Sequence, residues 1–151
     1  MMDRDLLLKD LEADEGFRPL LYDDFSGKQW VLGDVIKGRP TIGIGWNVSA
    51  TPLSLERARI ILGWMVDDKL GLIYAALPWL SGLSEPRQRA VANLAYNLGV
   101  TGLLKFDTFL SLLKSGQYDA AADDLESTVW WKQVGKRGPK IQALIRGEPE
   151  V

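Results

Sequence analysis

The chain has 151 residues, 46% of them hydrophobic and 25% charged, with a net charge of −2. That composition suits one globular domain with a real core and excludes a disordered chain; the acidic balance argues against nucleic acid, whose affinity comes largely from phosphate neutralisation. Neither Cys nor His occurs, so a disulfide framework, His-ligated zinc, and Cys–His or Ser–His–Asp nucleophiles are excluded, and any hydrolytic proton chemistry falls to carboxylates.

Leucines at 6, 7, 8 and 11 predict a short first helix, with Asp3 or Asp5 near its start and Gly16 as its stop. From 17 to 48 the texture changes to Val, Ile, Trp and Tyr between glycines, which predicts short strands at about 20–22, 30–36 and 41–46. Lys37-Gly38-Arg39-Pro40 is a predicted turn. After Pro52 the pattern is helical throughout. Ser54 is a plausible N-cap, and residues 55–77 make one long helix that Gly63 and Gly71 would weaken. Ser84-Glu85-Pro86 opens a further helix that runs to Leu98 and stops at Gly99. Others are expected at about 106–114, 117–128 and 137–146. The predicted fold is α+β: a small β lobe at about 17–48, a larger helical lobe at about 53–147, and a groove between them as the natural place for a ligand. The whole, 1–151, reads as a single domain.

The N-terminus shows no cationic stretch followed by a long apolar one, so no signal peptide is expected. No apolar run approaches the ~18 residues of a membrane span. Five cations and no carboxylate lie between Lys132 and Arg146; such a run is either a solvated helix end or a patch facing an anionic polymer.

The residues with chemical potential fall in three groups: Glu15-Gly16-Phe17-Arg18, then Tyr22-Asp23-Asp24, then Thr41-Ile42-Gly43-Ile44-Gly45. Glu15 sits at a helix C-terminus, where the dipole disfavours added negative charge. Glu15 and Asp24 are nine residues apart across a helix–strand corner and can face one another. Glycoside hydrolysis needs such a pair, one carboxylic acid to protonate the leaving oxygen and one carboxylate to activate water or attack the anomeric carbon. Thr41 opens a strand with glycine at alternate positions, which leaves room for a substrate or another backbone to approach. Singly, each group has a plain structural use; Asp23-Asp24-Phe25-Ser26-Gly27, for example, is a good turn. Asp23 also competes with Asp24, because adjacent residues of an extended segment point to opposite faces.

Together these groups resemble the T-even phage lysozymes, glycoside hydrolase family 24. Asn97-Leu98-Gly99 with Gly102 and Phe106, Leu112-Leu113-Lys114-Ser115-Gly116, Trp131 and the basic final helix extend the resemblance over most of the chain. It implies a lysozyme-like fold and a muramidase that cleaves the β-1,4 bond between N-acetylmuramic acid and N-acetylglucosamine with inversion. Glu15 would be the general acid, Asp24 the base and Thr41 the water-holding partner. Trp46, Tyr96 and Arg137 are the substrate-binding candidates; the resemblance places an Arg of a late helix beside the catalytic Glu, where Arg137 would orient Glu15. No cofactor and no metal is implied, nor nucleic acid or stable membrane insertion. The partner is bacterial peptidoglycan, and the protein is expected to be a monomeric endolysin, made in the host cytoplasm and acting in the periplasm after holin-type release.

Besides the competition between Asp23 and Asp24, the sequence departs from that family in two places. Sixteen residues separate Asp24 from Thr41, where most relatives have only a few, and 28–40 reads as an added hairpin. Trp46 stands where the motif usually has His, free either to stack on a sugar or to enter the core. Of the adjacent Trp130 and Trp131, core packing is expected for one, and the other could line the groove. Three other readings compete: a lytic transglycosylase, a non-catalytic peptidoglycan-binding domain, and a helix-turn-helix starting at 88–98. The last is disfavoured because 102–106, which should offer polar side chains to DNA, is mostly apolar.

Overall fold

In the computed structural model, which describes residues 2–147, the chain divides into two compact units at Arg59 and Ile60. The extreme ends of the predicted 1–151 domain lie outside the described residues.

In the first unit, α1 (Arg4–Glu15) starts where the Asp3 carboxylate accepts the N–H groups of Asp5 and Leu6 at 3.0 and 3.1 Å, satisfying two donors that a helix start leaves orphaned. It stops after Glu15 because Gly16 turns to a φ of 67°. Three antiparallel strands follow in the order β1 (Arg18–Asp23), β2 (Pro40–Gly43) and β3 (Trp46–Asn47). Tyr22 lies opposite Thr41, Asp23 opposite Pro40, and Thr41 opposite Asn47.

The strand predicted over 30–36 does not form. The Asp34 N–H donates to the Val31 carbonyl at 3.0 Å, and its carboxylate accepts the Val31 N–H at 3.2 Å. The Trp30 indole donates to the Asp34 carbonyl at 3.0 Å, and Gly33 turns at a φ of 98°. These local bonds occupy the groups a strand ladder would need. The insertion is therefore a loop tied by its own side chains, touching β1 through the Trp30 N–H to the Leu21 carbonyl at 2.9 Å and a Tyr22–Gln29 bridge. It borders an open pocket of about 280 Å³ between Lys28, Trp30 and Lys37.

The long helix α2 (Leu55–Ala76) begins as expected, with the Ser54 hydroxyl accepting the Arg57 N–H at 3.3 Å. It runs unbroken through Gly63 and Gly71. A 3-10 turn at Pro78–Gly82 leads to α3 (Glu85–Leu98), α4 (Val100–Leu103), α5 (Asp107–Lys114) and α6 (Tyr118–Asp124). The helix predicted over 117–128 gives way after Asp124 to a 3-10 turn, Leu125–Ser127, before α7 (Val129–Val134) and α8 (Arg137–Arg146).

The core of the second unit lies where Val91 and Leu94 of α3 meet Phe109, Leu113, Ile141 and Ile145, all without solvent exposure. Each such side chain contributes roughly 1.5–3 kcal/mol on burial. Trp130 is buried in the same core and donates its indole N–H to Asn97 Oδ1 at 2.9 Å. The six-membered ring of Trp131 lies against the bare backbone of Gly138. Arg87 fastens α3 to the end of α8: its guanidinium stacks 3.6 Å from the Tyr118 ring centroid and donates to the Ile145 carbonyl at 2.8 Å, filling an acceptor the helix end leaves open. Arg146, one of the five late cations, is paired with Asp119 and Asp123. The architecture is the predicted α+β class. Among the described residues no helix is long and apolar enough to cross a membrane.

Candidate active site

Glu15 is the last residue of α1, and its carboxyl group lies directly over the turn between β2 and β3. A Cβ placed on Gly45 would come within 2.6 Å of Glu15 Oε2 and 2.8 Å of its Cδ. Gly45 also has a φ of 64°, a conformation that disfavours side chains on two counts, strain and space. The alternate-glycine pattern of the strand thus has a specific use: the backbone at Gly45 is bare because the acid candidate rests on it.

The two neighbouring aspartates have opposite environments. Asp23 is 7% exposed and is consumed by backbone donors. Its Oδ1 accepts the N–H groups of Phe25 at 3.0 Å and Gly38 at 2.9 Å, and its Oδ2 that of Lys37 at 3.1 Å. Burial pushes the Asp23 carboxyl toward its neutral form, but those bonds and the Ser26 hydroxyl outweigh it and hold the pKa below the ordinary carboxylate value. Asp24 is exposed, and its Oδ1 accepts the Arg39 N–H at 2.5 Å. The opposite-face alternation expected for adjacent extended residues is not what separates them, because Asp24 lies in the turn after β1: both carboxylates meet the loop's exit, Asp23 buried on the N–H groups of Lys37 and Gly38 and Asp24 exposed on that of Arg39.

Thr41 is 4% exposed and donates its hydroxyl to the Arg39 carbonyl at 3.1 Å. The same carbonyl accepts the Asp24 N–H at 3.1 Å. One residue, Arg39, therefore ties Asp24 to Thr41, its N–H on the Asp24 carboxylate and its C=O on both the Asp24 backbone and the Thr41 hydroxyl. Neither Arg39 nor Asp23 stands out in the sequence as a candidate for this role; the signal was the Gly38-Arg39-Pro40 turn, whose partner could not be read.

Trp46, in β3, is half-buried and donates its indole N–H to the Thr51 carbonyl at 2.9 Å, which fixes the ring. In the second unit, Tyr96 and Arg137 line one groove of about 340 Å³ whose floor includes Leu70 and Ile73. Lys69 lies 5.7 Å from the Tyr96 ring centroid. Asn93 lines it too, and among the described residues its buried Oδ1 has no hydrogen-bond partner. Among the described residues no cluster of three His, Cys, Asp or Glu could hold a metal ion.

An α+β chain in which a helix-end glutamate overlies a glycine turn, and in which Arg39 joins an Asp to a Thr at the end of a short antiparallel sheet, is lysozyme-like. The phage lysozyme family model matches residues 12–147, and the chain belongs to that family. It is also 23% identical, over 89% of its length, to the pre-baseplate central spike protein Gp5 of Enterobacteria phage T4. The chain spans 26% of the length of that relative.

Proposed function

We propose that the protein is a muramidase that hydrolyses the β-1,4 bond between N-acetylmuramic acid and N-acetylglucosamine in bacterial peptidoglycan. Glu15 gives its proton to the glycosidic oxygen as the C–O bond breaks. Water attacks the anomeric carbon from the opposite face and passes a proton to Asp24, so the product is inverted. Glu15 ends ionised and Asp24 protonated, and solvent exchange restores both.

The observation that carries this reading is the shared Arg39 tie. With the Thr41 hydrogen committed to the Arg39 carbonyl and Asp24 Oδ1 committed to the Arg39 N–H, a water at this pair meets two acceptors, Thr41 Oγ1 and Asp24 Oδ2. It donates to both, and a lone pair is left to attack. Trp46, Tyr96 and Arg137 are the residues proposed to bind the glycan. The role that suits a chain of this family is a monomeric phage endolysin, made in the host cytoplasm and released to the periplasm through a holin-type pore. No cofactor is required.

Mass spectrometry of muropeptides from a digest of purified sacculi tests bond, mechanism and acid together. Reducing N-acetylmuramic acid ends are expected, with none from Glu15→Gln. Anhydromuramic ends would make the protein a lytic transglycosylase, and intact glycan a binding domain. The likeness to a central spike protein supports a second placement, as the wall-cutting part of an injection apparatus. Immunoblotting of purified virions separates the two: an endolysin is absent from the particle.

A further inference from the structure

We infer that Asp23 is a positioning residue: its carboxylate clasps the inserted loop and thereby sets the Arg39 peptide that joins Asp24 to Thr41. The inference rests on the proposed roles of Asp24 and Thr41.

The need for a clasp follows from the chain. Asp24 and Thr41 are separated by sixteen residues, so only the β1–β2 register brings them together, and a one-residue slip would turn either side chain to the wrong face. At that very step the backbone ladder gives out: Asp23 and Pro40 face each other without exchanging a backbone bond, the Asp23 N–H going to the Lys28 carbonyl at 3.0 Å and the Pro40 carbonyl accepting from Val48 at 3.0 Å. Side chains take over from there. The Arg39 N–H goes to the Asp24 carboxylate. Immediately before it, the N–H groups of Lys37 and Gly38 both go to Asp23, which also takes the N–H of Phe25 on its own side of the loop. Asp23 thus spans both arms of the insertion at the point where it rejoins the sheet. Gly38 completes the clasp: a Cβ there would fall 2.5 Å from Asp23 Oδ1 and closer still to Asp24 Oδ1, so the loop reaches the two carboxylates only with a bare backbone.

Asp23 touches neither water nor sugar in this scheme. It acts on the reaction through the placement of Asp24 and Thr41. An amide at position 23 keeps the shape but replaces one acceptor oxygen with a donor, which faces N–H groups and repels the loop.

The test is Asp23→Asn, with Asp23→Ala removing both acceptor oxygens of the clasp. Both are measured for kcat and KM on soluble peptidoglycan, and for amide hydrogen exchange by NMR. Each variant should lose at least about tenfold in kcat, as expected for a catalytic pair displaced by a fraction of an ångström, with KM within about twofold of the parent. Exchange should quicken at Lys37, Gly38 and Arg39 while α3 and α8 keep parental protection. Faster loop exchange with parental kcat overturns the inference. So does a fall in kcat without faster loop exchange, or quickened exchange throughout α3 and α8, which would mark plain destabilisation. A Glu15→Gln variant of parental activity would instead sink the muramidase reading itself, whatever Asp23 does.

Discussion

Replacing Gly45 with alanine should disable the proposed acid, Glu15, more than it harms the fold. Two costs can be separated at this position. The first is strain: a non-glycine residue at a φ of 64° costs about 1–2 kcal/mol, a fall in Tm of roughly 2–8 °C for a chain of this size. The second is displacement. The new Cβ would meet Glu15 Oε2 at 2.6 Å, whereas ordinary contact begins at 3.4 Å, so the carboxyl group must retreat by about 0.8 Å. A misplacement of that order costs about 10- to 100-fold in rate. Gly43 supplies the control, because it has a similar φ of 68° and no atom within 4 Å of a Cβ. Gly43→Ala should therefore show the same loss of Tm with near-parental kcat. The assay is reducing-end release from peptidoglycan, paired with thermal unfolding of both variants. Equal kcat in Gly45→Ala and Gly43→Ala would refute the claim that Glu15 rests on Gly45.

Other expectations follow from the same geometry. Because bonds to the loop hold the Asp23 carboxyl below its ordinary value of 3.8, the ionised form stabilises the fold above about pH 3.8 and that contribution fades as pH falls through the lowered value. The gap in urea midpoint between the parent and Asp23→Asn should be widest near neutrality and narrow in acid; a gap that does not change with pH would contradict this. Gln142 is buried and gives its amide hydrogens to the Ala122 carbonyl at 2.9 Å and Glu126 Oε1 at 2.8 Å, so Gln142→Leu should cost about 1–3 kcal/mol in urea unfolding. Gly138→Ala places a methyl 2.5 Å from the Trp131 ring and should cost about 1–3 kcal/mol by overpacking, with a shift in tryptophan emission that a surface Gly→Ala change would not give.

Much of this molecule was legible before its structure was seen. The end of α1 at Gly16, the Ser54 cap and the opening of α3 at Ser84 were read from local chemistry, and local chemistry is what decides them. The strand expected over 30–36 failed for an instructive reason. Its Val and Ile content favours a strand, but Asp34 and Gly33 supply a tighter local solution, and hydrogen bonds between side chain and backbone three and four residues apart leave no trace in periodicity. The short helices α4 and α7 were missed because four and six residues are too few to show a 3.6-residue period. At the site, Glu15, Asp24 and Thr41 were visible as residue types in a pattern. The different surroundings of Asp23 and Asp24 depend on which carboxylate meets the N–H groups of Lys37 and Gly38, fourteen and fifteen residues from Asp23, and contacts at that range are set by the loop's path.

The insertion closes on itself before it rejoins the sheet, with Asp34 holding Val31 at its tip and Asp23 gathering its exit. Such a segment behaves as a cassette. Its tip can change in length or sequence at a cost that grows only slowly with chain length, provided that Asp23 and Gly38 remain to receive it. The open pocket it borders, lined by Lys28, Trp30 and Lys37, can then diversify between hosts, or be grafted and selected in the laboratory, without moving the strand that carries Thr41.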